Sequence, residues 1–123
     1  MQDKMSIPSL LEIAGHFAVD GEWITATPFG SGHINDTYRI DCRQGAERRS
    51  YVLQRINTAI FREPEQLMEN ILRVTQHQRM KLVESGADEI HRRVLEYLPA
   101  RSGRYCHIDA ERGCWRLSLL VES

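Results

Sequence analysis

A chain of 123 residues, 41% hydrophobic and 27% charged, has room for one domain with a modest core. Its formal net charge of −1 removes the main physical reason to expect nucleic acid or an anionic membrane surface as partner. No apolar run approaches the roughly 20 residues that cross a bilayer, and "MQDKMSIPSLLEIAGHF" has Asp3 and Glu12 with no long apolar stretch, so a cytoplasmic protein is expected.

Ser6 and Pro8 open a helical pattern carrying Leu10, Leu11, Ile13, Ala14 and Phe17, which Asp20-Gly21 stops. Residues 22–29 alternate as a first strand. After the glycine-containing segment 30–35, Thr37 to Asp41 form a second strand, "RQGAER" a polar turn, and "SYVLQRI" at 50–56 a third strand rich in β-branched and aromatic residues. The longest helical pattern runs from Pro64, with Glu63 and Glu65 beside it, to about Glu84. Leu67, Ile71, Val74 and Leu82 lie in one apolar arc, widened by Met68 and Leu72. Val94 to Ala100, Arg104 to Ile108 and Cys114 to Glu122 read as short strands joined through "RSG" and "DAERG". This order predicts an α+β domain over residues 1–123: a mostly antiparallel sheet, ending in a meander, with one long helix across it. The run Leu117 to Val121 is almost wholly apolar and predicts a strand needing cover on both faces, with an apolar surface beside it for a missing lobe.

Cys42, Cys106 and Cys114 are odd in number and lack paired spacing, which suits reduced thiols better than a disulfide. Cys106 and His107 are adjacent in a strand and leave opposite faces, which argues against a shared metal ion.

"PFGSGHINDTYRI" at 28–40 invites a functional question. Glycine permits positive φ and lets an anion approach the backbone. Successive amide N–H groups in such a turn can hold a phosphate without a charged side chain. The segment offers Gly30, Ser31, Gly32 and His33, followed by Asn35. Two readings stand: a hairpin turn whose glycines serve geometry alone, or a phosphate cradle. "YVLQ" then repeats the apolar-apolar-polar rhythm of the kinase strand that carries a phosphate-contacting lysine.

Taken together, "AGHFAVDG" at 14–21, "PFGSGHINDTYRI" at 28–40, "YVLQRIN" at 51–57, "IF" at 60–61 and "LMENILRVT" at 67–75, with "CWRLSLLVE" more weakly, resemble the N-terminal lobe of the aminoglycoside phosphotransferase and choline kinase group, relatives of the protein kinases. Within that group the likeness is to bacterial N-acetylhexosamine 1-kinases. The resemblance implies a protein-kinase-like N-lobe that binds ATP, with magnesium in the complete enzyme. It implies transfer of the γ-phosphoryl group to the anomeric hydroxyl of an N-acetylhexosamine. On that likeness Gly30 to His33 and Asn35 would face the nucleotide phosphates, and Val52 the adenine.

The chain departs from the kinase pattern in two ways. Gln54 stands at the lysine position, where it can donate hydrogen bonds to phosphate but brings no charge. It can equally be an ordinary strand residue. Glu69, four residues before Arg73, suits a solvated pair, while Asn70 lies at the edge of the apolar arc. A neutral Gln54–Asn70 contact is therefore expected in place of the usual Lys–Glu pair. The second departure concerns catalysis. Phosphoryl transfer needs a carboxylate to orient the acceptor and ligands for magnesium. "HID" at 107–109 sits in a hairpin context without the asparagine of a kinase catalytic loop, so no catalytic or metal-ligating residue is assigned. The expectation is a nucleotide-binding lobe, inactive alone, whose partners are a nucleotide, a C-terminal catalytic lobe and, in the full-length enzyme, an amino sugar. The alternative is a non-catalytic binding or interaction module derived from such a lobe.

Overall fold

The computed structural model describes residues 6–29, 36–56, 63–88, 96–111 and 113–120. Helix α1 (Ile7–Ala14) starts where the Ser6 hydroxyl accepts the Ser9 backbone N–H at 3.3 Å, with proline in the first turn. Its Leu10, Ile13 and Ala14 turn inward. The helix stops three residues before Phe17, which forms an isolated antiparallel bridge to Ala100.

Strands β1 (Glu22–Pro28), β2 (Asp36–Gln44) and β3 (Glu47–Ile56) are successive antiparallel neighbours. The polar turn between β2 and β3 tightens to Gly45-Ala46, and Gly45 takes the left-handed φ of 63° such a turn requires. Helix α2 (Pro64–Glu84) follows, then β4 (Tyr97–Leu98), β5 (His107–Ile108) and β6 (Cys114–Leu119). The α+β class matches the expectation from sequence.

The strand order is β1-β2-β3-β6-β4, with β5 pairing β6 beside this path. The expected closing meander is thereby corrected. β6 inserts between β3 and β4, pairing Gln54 with Arg116 and Leu98 with Leu117. At the centre of the sheet, the Trp115, Leu117 and Leu119 side of β6 joins the main core, while Cys114, Arg116 and Ser118 face the α2 side. Leu117 is fully buried and Ser118 nearly so, while Leu119 and Leu120 are half-buried. The described part of the apolar run is thus largely covered from within the chain, not left as an open docking surface. β4 and β5 are also shorter than expected, two residues each.

Alternation sorts the sheet into two unlike faces. On one, Ile40, Leu53, Trp115 and Leu117 pack with Leu10 and Phe17 in the main core. On the other, Ile56 and Cys114 meet Met68 of α2 and Cys106, with Leu67, Ile71, Tyr97 and Tyr105 alongside. α2 covers only one end of that second face. Of the expected apolar arc, Met68 is buried and Leu67, Ile71, Leu72 and Leu82 are half-buried, while Val74 is 56% exposed and contributes little to the core.

Candidate functional site

The sequence candidates Gly30, Ser31, Gly32, His33 and Asn35 lie outside the described residues. What is defined is how the chain leaves and re-enters the sheet around them. The Phe29 N–H donates to the Thr37 carbonyl at 3.0 Å, tying the end of β1 to the start of β2. Thr37 is paired with Gln54 on β3, and Gln54 with Arg116 on β6. One row across the sheet therefore runs from the mouth of the glycine segment through Thr37 and Gln54 to Arg116.

Gln54 and Val52 are two residues apart on β3 and share the α2 side of the sheet, both half-buried. The Gln54 amide nitrogen donates to Thr37 Oγ1 at 3.1 Å. Its amide oxygen accepts from Arg116 Nε at 2.8 Å and Nη2 at 2.6 Å. The anticipated Gln54–Asn70 contact is thus replaced: Asn70 is exposed and its Oδ1 accepts from Gln66 within α2 at 3.3 Å. Met68, not Asn70, is the α2 residue turned toward the sheet, and its sulfur lies 3.7 Å from Arg116 Nη1. Glu69 and Arg73 do form the expected solvated pair, at 3.6 Å with both side chains largely exposed.

Next to this row, Arg39 is paired with Val52. Its Nε contacts Asp41 Oδ1 at 3.2 Å and its Nη2 donates to Ser50 Oγ at 3.0 Å, while the Ser50 hydroxyl donates to Asp41 at 2.7 Å. The Ser50 hydrogen bond, opposed by burial and aided by Arg39 and Arg48, holds the Asp41 carboxyl below its ordinary value. Asp41 is an ionised structural carboxylate, poorly suited to accept a proton.

His107 and Asp109 are also structural. Asp109 accepts from the Trp115 indole N–H at 2.8 Å and from the Gly113 and Glu111 amides at 2.7 and 2.9 Å. A Cβ at Gly113 would meet the Asp109 carboxylate at 2.7 Å, which explains the glycine there. Burial works against the Asp109 charge, but these donors and Arg55 outweigh it and keep the carboxyl below its ordinary value. His107 stacks on His16, ring centroids 4.0 Å apart and planes 10° apart, joining β5 to the segment after α1. All three cysteines are buried free thiols, and burial, reinforced by Cys106, pushes Cys114 up to about 12. Among the described residues no cluster of His, Cys, Asp or Glu is placed to hold a metal ion.

An open groove of about 520 Å³ lies elsewhere, at the start of α2, lined by Glu63, Glu65, Gln66, Glu69 and Ile108. Three carboxylates make it a poor receptor for phosphate. The sheet face carries Arg116, hydroxyls, an amide and the apolar Val52, with its Arg39 paired to the ionised Asp41.

Sequence reasoning singled out Val52 and Gln54 but not the groups that contact Gln54 from β6 and β4, Arg116 directly and Tyr97 through Arg116. One signal was legible for Arg116: a lone cation between Trp115 and Leu117 in an otherwise apolar strand, where a charge requires a specific partner. No protein-family model matches the chain.

Proposed function

We propose that the α2 side of the sheet is the nucleotide-binding surface of the N-terminal lobe of a small-molecule kinase. ATP would lie with its base near Val52 and its phosphates toward Gln54 and the segment 30–35. The supporting observation is the row Thr37–Gln54–Arg116, which begins where that segment rejoins the sheet and ends beside α2. Its hydroxyl, amide and guanidinium groups suit phosphate oxygens, and Val52 offers an apolar seat beside them.

In this reading the acceptor is the anomeric hydroxyl of an N-acetylhexosamine, and the carboxylate and magnesium ligands that chemistry requires come from a second, catalytic lobe. The Asp41 and Asp109 carboxylates of this chain are already committed to internal donors. Calorimetry of the chain with ATP tests the reading. Gln54→Ala should weaken binding about 3- to 10-fold, as loss of a hydrogen-bonding partner does; unchanged affinity would remove Gln54 from the site.

A further inference from the structure

We infer that Arg116 supplies the positive charge for the nucleotide's phosphates that Gln54, at the lysine position, does not. The inference rests on the nucleotide reading of the α2 face and adds a residue on a different strand, brought to Gln54 by a pairing 62 residues apart in sequence.

Arg116 is half-buried, and among the described residues its guanidinium contacts neutral groups. Nε and Nη2 both donate to the single amide oxygen of Gln54, Nη1 lies against the Met68 sulfur, and the guanidinium carbon sits 5.3 Å from the centre of the Tyr97 ring. Among the described residues it makes no ion pair, although Arg39, Arg43, Arg48, Arg55, Arg73, Arg79 and Arg104 all pair with carboxylates. A guanidinium withdrawn from water is ordinarily matched by an anion, because neutral acceptors offset only part of its desolvation. Here three neutral groups fix its plane, and among the described residues no carboxylate pairs with it.

Those neutral groups also set its direction. The Gln54 oxygen engages one edge of the guanidinium, the ring of Tyr97 lies by one face, and Met68 limits movement toward α2. Five N–H donors exceed what one amide oxygen and one thioether can accept, so the group retains donors for a multi-oxygen anion. Gln54 thereby acts as a positioning residue: it carries no charge itself but holds one. Tyr97 contributes a cation–π contact that restrains the arginine without neutralising it. A triphosphate on this face would supply the missing negative charge and, through charge-assisted hydrogen bonds, take up the remaining donors.

The test compares binding of ATP and of adenosine to the chain and to Arg116→Gln, by calorimetry at low ionic strength. Adenosine lacks the phosphates and reports on the Val52 seat alone. The expected result is an affinity for ATP reduced about 10- to 100-fold in the variant, the effect of losing a hydrogen bond to a charged group, with adenosine binding unchanged. Equal ATP affinity in the two proteins overturns the role of Arg116 while leaving the nucleotide reading intact. Failure of the unsubstituted chain to bind both ATP and adenosine overturns that reading, and the inference with it. Should Arg116→Gln lose the fold, Arg116→Met carries the same comparison, since its unbranched apolar side chain can fill the space against Tyr97 and Met68.

Discussion

Gly21 shows how closely a single position can be constrained. Its φ is 149°, and a Cβ built there would lie 2.6 Å from Cys42 Sγ and 2.7 Å from the Arg43 carbonyl oxygen. Gly45 also has positive φ, but nothing lies within 4 Å of its added Cβ. Gly21→Ala should therefore cost about 2 kcal/mol or more through combined backbone strain and overpacking, whereas Gly45→Ala should cost only about 1 kcal/mol. Urea unfolding of both variants checks the order, and equal costs would mean that the contact at Cys42 relaxes freely. His107 gives a pH dependence. Burial chiefly, with repulsion from His16, lowers its affinity for protons against the opposing pull of Asp109 and Glu12. The unfolded chain then takes up a proton near the ordinary value of 6.5 while the folded chain does not, so stability falls as the pH drops through 6.5 toward the lowered folded value. The Asp41 and Asp109 carboxylates favour the charged form in the fold where His107 favours the neutral one, but all three favour the deprotonated form, so the consequence in acid is the same: the carboxylates' stabilisation is complete above 3.8 and disappears as the pH falls through their lowered folded values. His107→Gln should flatten the stability profile between about pH 7 and 5 and leave the loss in stronger acid in place.

At the scale of elements, α2 divides into two unequal halves. Met68 is 2% exposed and joins Ile56, Cys106 and Cys114, whereas Met80 and Val83 are about 60% exposed. Burial, not helical periodicity, determines what each side chain contributes. Met68→Ala should cost about 2–4 kcal/mol through the cavity it leaves, while Val83→Ala should stay within about 0.5 kcal/mol. Thermal unfolding of the two variants distinguishes this from a helix packed along its whole length. The apolar arc was readable from spacing, but spacing cannot tell how far a sheet extends beneath a helix. β3 was legible for a related reason: its β-branched and aromatic residues marked a strand over 50–56, within the observed Glu47–Ile56. The partner of Gln54 was not, because alternation specifies a face and not a neighbour. Only the long-range pairing of β6 with β3 puts Arg116 there and leaves Asn70 outside.

For the molecule as a whole, the sheet separates two tasks. One face carries the main core built on Trp115, Phe17 and Leu53, and the other keeps polar side chains half-exposed next to α2. The α+β class and the chain order were legible because apolar runs and turn residues are local signals. The central place of β6 was not, since that depends on which strands find one another across the chain. The stacked His16 and His107 were hidden for the same reason. The pairing of β6 with β3 defines the surface on which the nucleotide reading depends. Amide proton–nitrogen correlation spectra recorded during titration with ATP test it most directly. The expected result is saturable shifts at Val52, Gln54 and Arg116 on β3 and β6, with the core strand positions on the α1 side little changed. Spectra that do not move, or shifts confined to the acidic groove around Glu63 and Glu69, would contradict it.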